Sequence, residues 1–428
     1  MTQLKYRPEI DGLRALAVLA VIIYHSEIYF FNSSYFSGGF IGVDIFFVIS
    51  GYLITSIILK ELLLKGKISI KYFYERRIRR ILPVLLLVIL VSILFAWFFF
   101  LHDRFIDFSK SILFSLGFIS NFYFYFTGQE YGAQSSLLKP FLHTWSLSIE
   151  EQFYIFFPFF LIIIYKYFKK YLLTILLLLF FLSLFFAEFF SKYSHNLNYF
   201  FIHTRLWELV LGSILAYIEI NFDFKKRITV LNQIFPILGL FLIGHSFVFF
   251  NSTLNHPSLI TLSPVIGVSL IIWFANKDEL VTRILSIKLL VKTGLISYSL
   301  YLWHFPILAF DRIIEYSQDS ITKKIIILLL IFLLSALTYY FIEIPSRNKR
   351  INFKYIFSIL IFIIITIISF NLFVIYNNGF KSRLPLILQS EFSESPLDLL
   401  KNENGEKCND HLEGCSFNNH FTKQVFLI

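Results

Sequence analysis

Runs of about 20 mostly apolar residues follow one another along almost the whole chain, and nothing else limits its fold so sharply. Each run is long enough to cross a bilayer as a helix. Of the 428 residues, 57% are hydrophobic and 15% charged, with a mean hydropathy of +0.70. So little charge could not cover a water-soluble domain of this length. A barrel would instead show short segments of alternating polarity. The sequence therefore predicts an all-α polytopic membrane protein.

The formal charge of +10 is confined to short stretches between apolar runs, which argues against nucleic acid as a partner. Seven Lys/Arg fall between Lys65 and Arg80, with smaller clusters at Lys166–Lys170, Lys225–Arg227, Lys277–Lys292 and Arg347–Lys354. Such loops mark the cytoplasmic side. Apolar segments lie at 13–31, 39–63, 81–101, 108–127, 144–165, 170–190, 204–220, 231–250, 259–275, 292–313, 322–344 and 353–376. Segment 108–127 is the weakest, interrupted by Gly117, Ser120 and Asn121. Making it re-entrant or peripheral puts every basic cluster inside, so the prediction is eleven membrane crossings. The N-terminus is then cytoplasmic, and the first run is an uncleaved span.

Residues 377–428 would lie outside, a polar tail holding Cys408 and Cys415. An oxidising compartment permits a disulfide between these two, and a pair of free thiols is the alternative.

Polar residues inside the spans recur at matching helical phase. In "DGLRALAVLAVIIYH" the eleven-residue spacing of Arg14 and His25 puts both on one face, about 16.5 Å apart along the axis. Asp44 lies in the outer half of the second span, above Gly51 on the same face. His143, Glu150 and Tyr154 form a descending stripe, Arg205 and Glu208 are three apart, and Ser297, Tyr301 and His304 share a face. Ionisable groups in a membrane face a bundle interior or a wet cavity, so a polar cavity is expected in the outer half. At the opposite side, "YERRIRRILP" sets Arg77 and Arg80 three apart. They suit either a phosphate-bearing ligand or an anchor on anionic headgroups.

"RPEIDGLRALAVLAVIIYH", "GGFIGVDIFFVISGYLIT", "FYERRIRRILP", "HTWSLSIEEQFYIFFP", "FIHTRLWELVLGSILA", "ISYSLYLWHFPIL" and "FIEIPSRN" occur in the order seen in the acyltransferase-3 family. The chain resembles its bacterial lipopolysaccharide and surface-polysaccharide O-acetyltransferases from about residue 5 to residue 350. The resemblance implies an O-acyltransferase that takes acetyl from cytoplasmic acetyl-CoA, as substrate and not as a resident cofactor, to a hydroxyl of an envelope glycan. Its Arg-x10-His motif matches Arg14 and His25, and its Arg-x-x-Arg motif matches Arg77 and Arg80. It implies that the histidine is catalytic and that the arginines serve the CoA end, with no metal. The expected division is a membrane domain over 1–350, a further span over 351–376, and a linker with the incomplete start of an SGNH-like domain over 377–428. That start, "KQVFLI", stops before a nucleophile, so either the gene is interrupted, the sequence is a fragment, or the second domain is a separate SGNH-type acyltransferase and then a candidate partner.

In the expected mechanism His25 is the general base, with Asp44 or Glu150 orienting its ring. His143, Tyr154, Arg205, Glu208, Tyr301 and His304 would line the acceptor cavity. Acetyl passes directly to the glycan or is relayed through a partner. The rival reading is a transporter or lipid-linked sugar flippase, for which inverted repeats would speak; none is evident between the halves.

Overall fold

A computed structural model describes residues 6–28, 36–129, 135–222, 230–251, 253–277, 279–314 and 320–383. Cys408, Cys415 and most of the expected tail lie outside the described residues. Among the described residues the regular structure is helical, without strands. The chain opens with α1 (Pro8–Ser26), α2 (Gly42–Lys65) and α3 (Ile70–Phe99), followed by the short α4 (His102–Leu116) and α5 (Ser120–Thr127). Next come α6 (Thr144–Tyr167), α7 (Leu172–Tyr193), α8 (His195–Phe200) and α9 (Ile202–Asn221). Then follow α10 (Leu231–Phe249), α11 (Leu262–Phe274), α12 (Leu280–Leu285), α13 (Lys288–Leu295) and α14 (Ser297–Ile314). Last are α15 (Ile321–Thr338), α16 (Ile344–Arg347) and α17 (Phe353–Tyr376).

Eight helical stretches among the described residues are long and apolar enough to cross a membrane, by length and composition. They contain α2, α3, α6, α7, α9, α10, α15 and α17. Helix α11 is apolar but shorter. Helices α1 and α14 are more polar, and these two carry His25 and His304. Segment 108–127 is not one continuous helix. It breaks after Gly117, where Phe118 takes a left-handed φ of 53°, leaving helices of 15 and 8 residues.

Helix α3 begins eleven residues before its apolar run. The Ser69 hydroxyl caps it by accepting the Tyr72 amide at 3.4 Å. The basic stretch is therefore helix, and Arg77 and Arg80 project from neighbouring positions of one surface.

Burial separates an inner ring from an outer one. The apolar window of α2 is 72% buried and that of α9 61%, against 17% for the α15 stretch and 22% for α17. Exposed apolar side chains such as Leu329 and Phe362 suit the outer helices to lipid contact. At the centre, α2 and α9 pack along their lengths. A Cβ on Gly51 would collide with the Leu209 carbonyl, and one on Gly212 with the Val48 carbonyl. The close neighbour of Gly51 is thus a helix, and the two glycines let the backbones touch.

Candidate active site

The inner helices α1, α2, α3, α6 and α14 enclose a cavity at the basic end of the bundle. It contains about 880 Å³ of empty space, part of it open to the outside. Arg14, Arg77, Arg80, Glu150, Tyr154, Ser297 and Tyr301 line it, so seven of the residues singled out by sequence converge here. Arg14 is held by Asp11 at 3.0 Å, and Tyr154 donates to Glu150 at 2.9 Å. The Arg77 guanidinium stacks on Tyr154 and Phe73, 5.0 and 5.8 Å from the ring centres. Among the described residues, neither Arg77 nor Arg80 makes a side-chain hydrogen bond or ion pair. Two forks therefore face the cavity with their donors available.

Arg79, between them in sequence, has a different task. It is buried, pairs with Glu75 at 2.9 Å, and donates to the carbonyls of Ser346, Asn348 and Ile351 at 3.2, 3.3 and 2.9 Å. It fastens the segment after α16 to α3. Sequence reasoning missed Glu151, Ser50 and Tyr298, which also line the cavity. Glu151 is the next residue after Glu150, about 100° away around the helix, so a single-stripe reading passes over it. Its buried Oε1 has no hydrogen-bond partner.

A second cavity opens at the other end of α1, with about 1330 Å³ of empty space. His25 lines it together with Tyr24, Phe40, His195, Tyr199 and His256. Arg14 and His25 thus face different cavities from one helix, at opposite depths, as their spacing predicts. The six residues expected around the acceptor are divided differently. Tyr154 and Tyr301 belong to the basic cavity, because a stripe descending eleven residues from His143 travels about 16 Å along the helix.

His143 and His304 sit behind His25, within the bundle. The ring centres of His25 and His304 are 5.6 Å apart, as are those of His143 and His304. Phe305 wedges between them, 4.9 Å from His25 and 5.5 Å from His143. The Tyr301 hydroxyl donates to the His143 carbonyl, and Ser146 Oγ lies 3.0 Å from it. Arg312 donates to the His25 carbonyl, tying α14 to the end of α1.

Asp44, Arg205 and Glu208 form a separate, fully buried cluster. Arg205 Nη1 reaches Asp44 at 3.0 Å and Glu208 at 3.2 Å. His256 completes it from the loop before α11. Its Nε2 lies 3.0 Å from Asp44 Oδ1 and its Nδ1 3.3 Å from Arg205 Nη2. Those partners assign Nδ1 as acceptor and Nε2–H as donor. Burial holds His256 below its ordinary range despite the Asp44 carboxylate, consistent with this neutral ring. His256 lies in a loop without periodicity, so no sequence pattern could pair it with Asp44.

The expected carboxylate partner of His25 is not found. Among the described residues Asp44 is taken up by Arg205 and His256, Glu150 lies in the basic cavity, and neither bonds to His25. The Nδ1 of His25 is buried without a hydrogen-bond partner.

Residues 7–340 match the family described as "Acyltransferase domain", Acyl_transf_3. The chain belongs to the acyltransferase-3 family. It is 35% identical over 361 residues to the O-acetyltransferase OatA of Staphylococcus aureus (strain NCTC 8325 / PS 47), covering 81% of this chain and 58% of that protein. A putative O-acetyltransferase of S. aureus (strain MSSA476), SAS0844, is 34% identical over 363 residues, covering 82% and 59%. The chain thus spans less than two thirds of the length of these relatives. No solved structure matches it. The family match covers α1 to α15 and so includes both cavities and the histidines between them.

Proposed function

We propose that this acyltransferase-3 chain is an O-acetyltransferase that carries acetyl from acetyl-CoA at the basic cavity to a hydroxyl of an envelope glycan at the His25 cavity. The observation that carries the reading is the placement of Arg14 and His25 on one helix, each facing a different cavity. The basic clusters support an orientation with the Arg77/Arg80 end on the cytoplasmic side and the His25 end outside. Relatives bearing the name O-acetyltransferase support the reaction class.

In this reading Arg77 and Arg80 bind CoA phosphates through their free forks, with Arg14 above them on the way inward. The thin pantetheine arm extends between α1, α2 and α14 and brings the thioester towards His25. The His25 imidazole takes the proton of the sugar hydroxyl as its oxygen attacks the thioester carbonyl. The new C–O bond forms, the C–S bond breaks, and the imidazolium returns the proton to the departing thiolate. Tyr24, Phe40 and Tyr199 present apolar ring faces, and the two tyrosines hydroxyls, of the kind that hold a sugar ring. If the transfer is a relay, an SGNH-type acyltransferase is the partner that would receive acetyl.

The test uses the full chain in sealed vesicles with labelled acetyl-CoA on the Arg77/Arg80 side and glycan on the other. Label on glycan hydroxyls across the membrane is the expected result. Sugar movement without consumption of acetyl-CoA would overturn the reading in favour of transport.

A further inference from the structure

We infer that His304 takes the place of the missing carboxylate: its Nε2 accepts from His25 Nδ1–H and so fixes His25 as an Nε2 base. This inference rests on the proposed acyl transfer for its consequence, and on the geometry alone for its premise.

The His304 tautomer is set by its neighbours. Its Nδ1 lies 2.6 Å from the Tyr301 carbonyl oxygen, which only accepts, so Nδ1 carries the hydrogen. The unprotonated nitrogen is then Nε2, and this atom is buried with no hydrogen-bond partner. His25 supplies a matching orphan, its buried Nδ1, and the two nitrogens of His143 are also buried without a partner. The ring centres lie 5.6 Å apart with planes inclined by 36°, a separation at which a small ring rotation brings one nitrogen of each ring within hydrogen-bond distance. An unmade bond between two buried nitrogens is costly, so both gain when the bond closes.

The order of atoms is then Tyr301 carbonyl, His304 Nδ1–H and Nε2, His25 Nδ1–H and Nε2, and the hydroxyl to be acylated. A hydrogen on Nδ1 of His25 leaves the lone pair on Nε2, at the side of the ring open to the outer cavity. When Nε2 takes the hydroxyl proton, the positive charge spreads onto Nδ1–H, which His304 Nε2 is already placed to accept. The proton then leaves from Nε2 to the thiolate, so His304 gains and loses nothing over the cycle. His304 is a positioning residue and does not touch substrate. Its own ring is braced by His143, the Tyr301 backbone and Phe305.

The inference is tested with full-length protein in nanodiscs, labelled with [15N]histidine and assigned by difference from a His25→Ala sample. The expected spectrum has His25 in the Nδ1–H tautomer in the wild type and in His304→Gln, whose amide oxygen can stand at the Nε2 position. In His304→Asn, whose oxygen is one bond too short, the preference is expected to be lost. Transfer from acetyl-CoA should follow the same order, with Gln within about 10-fold of wild type and Asn lower by about 100-fold or more. The KM for acetyl-CoA should stay unchanged in both. Equal activity of the two variants, or a His25 tautomer that ignores them, would overturn the inference. A wild type that transfers no acetyl would overturn the proposed function instead, while the tautomer would still decide this point.

Discussion

Two buried polar clusters lie within the helical bundle, and they are built on opposite principles. In the Asp44–Arg205–Glu208–His256 cluster, opposite charges meet and most donors find acceptors. In the His25–His143–His304 cluster, three imidazoles come together without a carboxylate, and His25 Nδ1, His304 Nε2 and both ring nitrogens of His143 remain unmatched. Satisfied charge pairs hold helices in register, since breaking one strands its partner in an apolar interior. Unmatched nitrogens are tolerated where a substrate, proton or water is handled. The first cluster therefore reads as architecture and the second as chemistry.

The largest effect that could break this contrast is expected at Arg205. Arg205→Met leaves Asp44 and Glu208 facing each other without a cation, at a cost of about 3–5 kcal/mol. Thermal melting of the detergent-solubilised protein should fall sharply or the protein fail to accumulate. A variant that melts normally but loses transfer would move this cluster to the chemical side.

The contrast recurs within the arginines of α3, where the next effect is expected. Converting both Arg77 and Arg80 to Glu should weaken acetyl-CoA binding about 100-fold by calorimetry, with melting little changed. Arg79→Gln should do the reverse. It keeps affinity but loses about 2–3 kcal/mol, because three backbone carbonyls and Glu75 lose their donor. Unchanged affinity in the double variant would return Arg77 and Arg80 to the role of a membrane anchor.

The smallest effect is expected at His143→Gln. No side chain bonds to its ring nitrogens, so stability should change by less than about 1 kcal/mol in the same melting assay. A large loss would mean that the histidine cluster, too, is held together by bonds.

Helical phase explains what could be read from the sequence. Spacings of three, four, seven and eleven decide which residues share a face, and they placed Arg14 with His25 and Arg77 with Arg80 correctly on helices. The same arithmetic gave His143, Glu150 and Tyr154 a common stripe, but it cannot say where one cavity ends and another begins along that stripe. Contacts between helices are not encoded in any one helix. Asp44 looks as available to His25 as to Arg205 until α2 and α9 are seen to touch through Gly51 and Gly212. His256 was out of reach for another reason. It comes from a loop, where burial and not periodicity gives it a role. The basic stretch "YERRIRRILP" hid a division of labour that only packing reveals, with Arg79 spent on carbonyls and its neighbours left open.

The central claim is that His25 performs the chemistry while the arginine end binds the donor. Acetyl-CoA binding and acetyl transfer, measured on the same purified preparations of wild type and His25→Ala, test it most directly. The account predicts unchanged donor affinity in His25→Ala with transfer reduced by at least about 1000-fold. Transfer at the wild-type rate, or loss of donor binding along with transfer, would contradict it.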